Sequence, residues 1–543
     1  MNEHKTNNIY IFLPLIIAGS LIVGILISSW VSKSLDEKVI FKTVEQDKLS
    51  IILNYVANEY VDKIKKDELI EKVIPGILNS LDPHSVYINA KKAFQMREEL
   101  EGEFDGIGVQ FNIFRDSILV INTIPEGPSE NIGILSGDRI VEIDDTIVAN
   151  INITNSQVMR MLKGERGTFV NIKVFRKGHE NLIPFRIKRG HIPIKSIDAE
   201  YIIDDKIGYI KINNFSRTTH RQFVEAILNI KSRGNIESII LDLRDNAGGY
   251  LNAATNIVDE FLSDSKLLVY TEGQARPRQT FFSTNNRNAC QDLNVAILIN
   301  EFSASAAEII AGAIQDNDRG FVIGRRSFGK GLVQEAIGFK DGSLMRLTTA
   351  RYYTPSGRSI QKKYDENIDD YYLDILNRYE HGEFLEKDSI QFDDSLIFFT
   401  AGGRKVYGGG GIMPDVFVPA DTSGYTNLLG NIRRNNYDYF FAIDYVDINR
   451  IKLSKFNNAN ELIKYLEKNN VISQFYSYIQ NENITIKNEE LFISGNHIKN
   501  SVYAYIVRQK FGNNAFYELF NQHNNTIDKA IEILNSNITV FDL

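Results

Sequence analysis

The chain has 543 residues, enough for three or four domains at about 100–200 residues each, and carries 61 Lys and Arg against 69 Asp and Glu for a net charge of −8. With no long basic run, this balance argues against nucleic-acid binding. The single Cys290 excludes an intrachain disulfide, and metal catalysis has no HExxH motif or cysteine cluster to start from.

The first predicted element is an apolar segment. Ile9 to Ser32 contain no charged residue, and a helix of that length, rising about 1.5 Å per residue, spans a bilayer core of about 30 Å. It is too long for a signal-peptide core and no clear Ala-x-Ala site follows, so residues 9–32 read as a retained signal anchor behind a short tail, residues 1–8. Lys5 on one side and Lys33 and Lys38 on the other give almost no positive-inside bias. Residues 36–96 then read as helical, with Val44, Leu49, Ile52, Leu53, Val56 and Tyr60 on a stripe suited to core or dimer packing. His84, within Leu81-Asp82-Pro83-His84-Ser85, reads as a turn residue holding local hydrogen bonds.

Residues 97–190 have a β pattern. Gly106-Ile107-Gly108-Val109 leads into an alternating strand, Gln110 to Phe114, and a second, Ile118 to Thr123; Gly137-Asp138-Arg139-Ile140 follows.

Residues 191–419 mix strands and helices. Ser238 to Leu243 is strand-like, and Arg244-Asp245-Asn246-Ala247-Gly248-Gly249 turns into a helix through Leu251, Ala254, Ile257 and Phe261. The glycine pair permits positive φ and close approach of a ligand. Val295 to Ile299 is a second buried strand, and from Ser303 the pattern turns helical, with Ala306, Ile309, Ile310 and Ala313 on one stripe. Ser305 thus sits at a strand-to-helix junction, where free N–H groups favour a developing oxyanion. One donor is expected at Gly248 or Gly249 and the other on the Ala306 amide.

Lys330 follows 25 positions after Ser305, in Phe328-Gly329-Lys330-Gly331-Leu332-Val333-Gln334. A serine hydroxyl needs a neighbour to take its proton. Lysine, with an ordinary pKa of about 10.4, can do so only if burial or positive charge disfavours the ammonium form. The flanking glycines, with Phe328 and Leu332, suit a tight apolar site, and Gln334 can orient the amine without the charge that would keep it protonated. Val333 to Phe339, a turn at Asp341-Gly342, and Leu344 to Tyr353 read as a hairpin. Beyond residue 419 the composition shifts to Asn, Tyr, Ile and Lys, with helical stripes such as Leu462, Ile463, Tyr465 and Leu466; residues 420–543 read as a helical extension whose role is open.

Singly these motifs are weak. Ser-x-x-Lys alone occurs at Ser263–Lys266, Ser327–Lys330 and Ser359–Lys362. Together, and in this order with Thr354-Pro355-Ser356-Gly357-Arg358-Ser359-Ile360-Gln361 and Gly408-Gly409-Gly410-Gly411-Ile412-Met413-Pro414-Asp415, they make residues 40–419 resemble the C-terminal processing peptidases, or tail-specific proteases. These are serine proteases with a Ser/Lys pair and an embedded PDZ domain.

The resemblance implies Ser305 as nucleophile, Lys330 as general base and Gln334 as the residue orienting the lysine. Ser303 lies two positions too early, and Ala307 stands where members often have Ser. Residues 97–190 become a PDZ domain whose Gly106, Ile107, Gly108 and Val109 hold a peptide carboxylate while the peptide adds as a strand. The helix of such a domain is expected near Asn155 to Leu162, with Val158 and Leu162 facing the last side chain, which favours protein or peptide substrates with apolar C-termini. Whether the domain delivers substrate or blocks the site is left open.

The implied architecture is α+β and multidomain: a mixed α/β protease core of the Clp/crotonase type, an inserted PDZ domain, an N-terminal transmembrane helix and a helical C-terminal extension. The resemblance also orients the anchor, with a cytoplasmic tail and the protease on the periplasmic side of a bacterial inner membrane. It calls for no ATP, metal or other cofactor, and leaves room for a homo-oligomer or an adaptor protein. A His/Asp/Ser enzyme with a PDZ domain is disfavoured, because that class puts its serine in Gly-Asn/Asp-Ser-Gly-Gly and its PDZ domain after the protease. A catalytically inactive, membrane-anchored PDZ scaffold is the alternative, and the joint presence of Ser305, Lys330 and Gln334 weighs against it.

Overall fold

The computed structural model describes residues 48–542 apart from 115, 285, 365–367, 392 and 537. The expected tail and anchor, residues 1–32, lie outside the described residues, and among these no helix is long and apolar enough to cross a membrane. The chain divides into two compact units, one ending at Leu81 and the other running from Asp82 to Leu543.

In the first unit, helix α1 (Lys48–Glu59) is followed by α2 (Lys66–Asn79). Of the apolar stripe expected here, Val44 lies outside the described residues, Leu49, Leu53 and Val56 are half-buried, Ile52 and Tyr60 are exposed, and α1 fully buries no residue. Two short helices enclose too little volume, and only Leu78 of α2 is buried in this pair.

The second unit begins with β1 (Val86–Ile88), α3 (Ala90–Glu101) and β2 (Glu103–Gly106). Asn89 caps α3 by accepting from the Lys92 amide, and Gly102, at φ 79°, ends it in the left-handed conformation that glycine tolerates. A β-domain follows, built from β3 (Val109–Phe114), β4 (Ser117–Thr123), β5 (Arg139–Ile143), β6 (Thr146–Ile147), α4 (Asn155–Leu162), β7 (Phe169–Phe175) and β8 (Ile183–Lys188). Its sheet runs β3-β4-β5-β7-β8 with β6 on β5, so β3 is an edge strand. Alternating apolar residues of β4, β5 and β7 enclose a core with Val158 and Leu162 of α4. Strand β9 (Gly190–Pro193) pairs with β2 and closes the insertion at its base.

The largest body continues through β10 (Ile197–Asp204), β11 (Ile207–Ile212), α5 (Thr219–Arg233), β12 (Ser238–Asp242), α6 (Leu251–Asp259), β13 (Leu267–Gly273), β14 (Arg276–Phe282), β15 (Asn294–Ile299), α7 (Ala306–Asp316), β16 (Phe321–Gly324), β17 (Leu332–Gly338), β18 (Leu344–Tyr353), α8 (Ile368–Glu380), β19 (Ile397–Phe399), β20 (Lys405–Tyr407) and β21 (Val416–Phe417). Its six-stranded sheet has the order β10-β11-β12-β15-β16-β21 and is parallel except for β10. Every residue of β11 and β12 is buried, as expected of parallel strands covered on both faces. Helices α5, α6 and α7 cover one face. A second sheet, antiparallel, runs β1-β18-β13-β14 with β17 on β18, and contains the expected hairpin.

The C-terminal region is helical: α9 (Asn427–Asn435), α10 (Tyr437–Leu453), α11 (Ala459–Lys468), α12 (Val471–Asn481), α13 (Asn488–Phe520) and α14 (Asn525–Asn535). Leu462, Leu466, Phe475, Ile479 and Val502 form its own core. The last helix does something else, since Ile527, Ala530 and Ile533 lie over the second face of the parallel sheet, against Tyr209, Leu298 and Ile323. The parallel sheet is therefore completed by residues more than a hundred positions beyond its last strand.

Candidate active site

Strand β15 ends at Ile299 and α7 begins at Ala306, which leaves Ser305 as the residue before the helix, at φ 55° and ψ −113°. A positive φ is costly for a residue with a Cβ and recurs at active sites. The surrounding bonds hold it there. Buried Glu308, in the first turn of α7, accepts from the Ser305 amide at 2.8 Å. The same carboxylate accepts from Ser327 Oγ at 2.5 Å and from the amides of Gly329 and Lys330 at 2.7 and 2.9 Å. One side chain thus joins the serine segment to the lysine segment. Burial raises the Glu308 pKa, partly offset by these donors.

Lys330 is the residue before β17 by two, and its side chain enters a cavity of about 590 Å³ lined also by Ser305, Gln334, Gly248, Gly249 and Arg346. Its Nζ donates to Gln334 Oε1 at 3.1 Å, while Gln334 Nε2 donates to the His84 carbonyl at 2.9 Å. The second bond fixes which end of the amide faces the lysine. Burial lowers the Lys330 pKa to about 8, Arg346 pushes it the same way, and Glu308 and Asp82 push it back up. Tyr352 braces the pair from below, its hydroxyl proton shared between the carbonyls of Lys330 (2.8 Å) and Ser305 (3.2 Å). Among the described residues no hydrogen bond joins Ser305 Oγ to Lys330 Nζ, although both face the one cavity.

The glycine turn lies against the serine. Gly248 has φ 98°, and a Cβ there would sit 2.8 Å from both the Ser305 Cβ and the Ala304 carbonyl oxygen; at Gly249, φ 147°, it would meet the Phe215 carbonyl oxygen at 2.1 Å. Of the two expected donors at this turn, the Gly248 amide is already given to Asn246 Oδ1 at 2.8 Å. That leaves Gly249 beside Ala306, the first residue of α7, whose N–H has no partner within its own helix. Ser303 is fully buried and its Oγ donates to the Leu243 carbonyl at 2.8 Å, a structural task.

Three known families match the chain: peptidase family S41 over residues 206–370, the PDZ domain over 106–184, and a family of unknown function over 428–512. The carboxy-terminal-processing protease of Bartonella bacilliformis is 36% identical over 313 residues, covering 57% of this chain and 71% of that protein. The chain belongs to the carboxy-terminal processing proteases of peptidase family S41. It is a serine-type peptidase with a PDZ domain. The carboxy-terminal processing protease CtpB of Bacillus subtilis is 32% identical, with 58% of this chain and 66% of that protein covered. Among solved structures, the photosystem II D1 C-terminal processing protease is 25% identical, covering 57% of this chain and 88% of that one at a TM-score of 0.31.

In the protease's PDZ domain, Gly106 ends β2, Ile107 and Gly108 make the connection to β3, and Val109 opens the edge strand. The Ile107 carbonyl accepts from the Ser129 amide and hydroxyl at 3.1 and 2.6 Å, which fixes the loop to the following turn. Val158 and Leu162 differ from expectation. Both are buried in the domain's core, at 0% and 3% exposure, and offer no surface to a peptide. Their spacing of four residues puts them on one face of α4, and that face points inwards to Ile118 and Val120.

Two site residues were missed. Glu308 served in the sequence only to locate the serine, although Ser-x-x-Glu ahead of an apolar run is a capping-box signal. His84 is more than a local turn residue: its carbonyl orients Gln334, its Nε2 lies 2.6 Å from the Tyr371 hydroxyl, and burial with the Lys330 charge lowers its pKa to about 4. Nothing in the sequence pairs residues 250 positions apart.

Proposed function

We propose that this protease cleaves polypeptides through an acyl-enzyme on Ser305 with Lys330 as the general base, and that its PDZ domain recognises the C-terminal tails of its substrates. The observation that carries the proposal is the relay from the His84 carbonyl through Gln334 to Lys330 Nζ, inside the cavity that also holds Ser305. A neutral partner leaves the amine free to lose its proton, and a pKa near 8 makes the neutral form accessible at mildly alkaline pH.

In this reading Ser305 Oγ attacks the scissile carbonyl as Lys330 Nζ takes its proton. The same nitrogen returns the proton to the leaving amine, and water then hydrolyses the ester. The amides of Gly249 and Ala306 receive the oxyanion, each worth about 2.7–4 kcal/mol in comparable sites. Approach of Oγ to Nζ is required first, since such bonds tighten only in the substrate complex. The free edge of β3 is where a tail adds as a strand. We further propose that residues 9–32 anchor the enzyme in a bacterial inner membrane with the catalytic part on the periplasmic side, on the strength of the uncharged run Ile9 to Ser32.

The test compares wild type with Ser305→Ala and Lys330→Ala on an unfolded protein ending in an apolar residue. Both variants are expected to leave it intact; cutting by Ser305→Ala at the wild-type rate overturns the assignment.

A further inference from the structure

Arg346 stands on β18 with Ala336 of β17 as its register partner, while Gln334 is opposite Thr348. Side chains two apart on a strand share a face. Arg346 is therefore a diagonal neighbour of the residue that holds Lys330, and all three line the catalytic cavity. Arg346 is half-buried, its Nε is shielded from solvent without a hydrogen-bond partner, and its Nη1 reaches only the Met96 thioether, at 3.9 Å. The other enclosed guanidinium groups of this body have carboxylate or carbonyl partners, although the Arg358 Nε also lacks one. Arg244 meets Asp242, Arg358 meets Asp316, Arg378 meets Glu383, and Arg319 donates to the carbonyls of Phe261, Cys290, Gln291 and Leu293. Among the described residues Arg346 forms no ion pair, and burial, with no carboxylate contributing, lowers its pKa.

A cation held partly out of water without a counter-ion costs stability unless its charge is used. We propose that Arg346 is a positioning residue for the protease: its uncompensated charge on the cavity wall keeps Lys330 in the form that accepts a proton. The inference rests on Lys330 being the base.

The charges around Lys330 come from four elements, one of them α3, whose Glu99 lines the same cavity. Glu308 on α7 and Asp82 in the turn before β1 both favour the ammonium form, and His84 in that turn is neutral above about pH 4. The two carboxylates are each held by four donors: Glu308 as above, and Asp82 by the amides of His84 and Ser85 and the hydroxyls of Ser85 and Thr348. Arg346 on β18 is the group of opposite effect, and it acts in the same direction as burial. Arginine suits the task because it keeps its charge when desolvated.

The test is the pH dependence of kcat/KM for the full-length chain. In Arg346→Gln the ascending limb is expected to move up by roughly half a pH unit or more, so that the loss is about threefold or more at pH 7 and shrinks at higher pH. Arg346→Lys restores the wild-type limb. Arg346→Met, apolar and of similar length, gives the same reading if the glutamine variant does not fold. A uniform loss at all pH values, with the limb in place, makes Arg346 structural and overturns the proposal. A rise in KM confined to acidic substrates, again with the limb in place, makes it an anion-binding residue and also overturns it. Wild-type activity in Lys330→Ala sinks the underlying assignment instead, which separates the two failures.

Discussion

At the scale of single residues the site depends on Glu308 as much as on the serine and lysine it connects. Glu308→Ala strands four donors, three of them main-chain amides that no rotamer change can satisfy. The expected cost is about 3 kcal/mol or more, since a buried unpaired donor costs about 1–3 kcal/mol, together with a fall in kcat from the displaced Ser305 and Lys330. Denaturant unfolding and steady-state kinetics check both parts, and a stable, fully active variant contradicts them. A second expectation concerns pH. The folded state holds the Lys330 pKa near 8, below its unfolded value, so activity rises as pH passes upward through 8 and the amine loses its proton. The sign is opposite for a reaction that needs the ammonium form. His84 is also depressed, to about 4 against an ordinary 6.5, so the unfolded chain binds the extra proton first. Stability therefore falls as pH drops from about 6.5 to 4, and His84→Asn, measured by thermal unfolding, should lose that part of the pH dependence.

Among the elements, those whose pattern is local were legible in the sequence. The junctions at Gly248 and Ser305 and the hairpin of β17 and β18 appear where periodicity and glycine placement put them, and α4 where the PDZ resemblance did. The place of Ser305 at the start of α7 was legible for the same reason: a strand, a small-residue turn and an amphipathic helix follow one another within twenty residues or so. What was hidden depends on distant pairing. The division expected near residue 419 followed a shift in composition, yet α14 belongs to the second face of the protease sheet, because apolar residues spaced for a helix do not say which sheet they cover. Val158 and Leu162 show the same limit in the PDZ domain, where period alone does not separate a peptide pocket from a core. Ile533→Ala on α14 is expected to destabilise the protease body by about 2–5 kcal/mol. Hydrogen exchange should then rise in β12, β15 and β16, whereas a loss confined to α14 would mean that the helix is peripheral.

For the molecule from Asp82 onward, the helical C-terminal region connects the other two bodies. Phe440 of α10 stacks on Phe114 of β3, ring centroids 4.9 Å apart, beside Leu119, Ile121 and Ile443, and Arg450 donates to the Ser136 carbonyl. At its other end, Asn514 of α13 accepts from the Glu200 amide at 2.9 Å, Tyr517 donates to Asp198 at 3.0 Å, and Arg244 donates to Asn524 at 2.9 Å. The PDZ domain is thus held through α10 to a scaffold fixed on the protease sheet. Replacing Phe440 and Ile443 together by Ala should raise exchange in β3 and β4 while β5 and β7, in the domain's own core, stay protected. Unchanged exchange in β3 would show that the contact does not restrain it. The central claim remains that Ser305 and Lys330 act as one site. Mass spectrometry of the full-length chain, quenched while it turns over an ester substrate, tests this most directly: an acyl group is expected on the peptide containing Ser305 in wild type and on no peptide in Lys330→Ala, whereas an adduct on another residue, or an undiminished one without Lys330, would contradict the account.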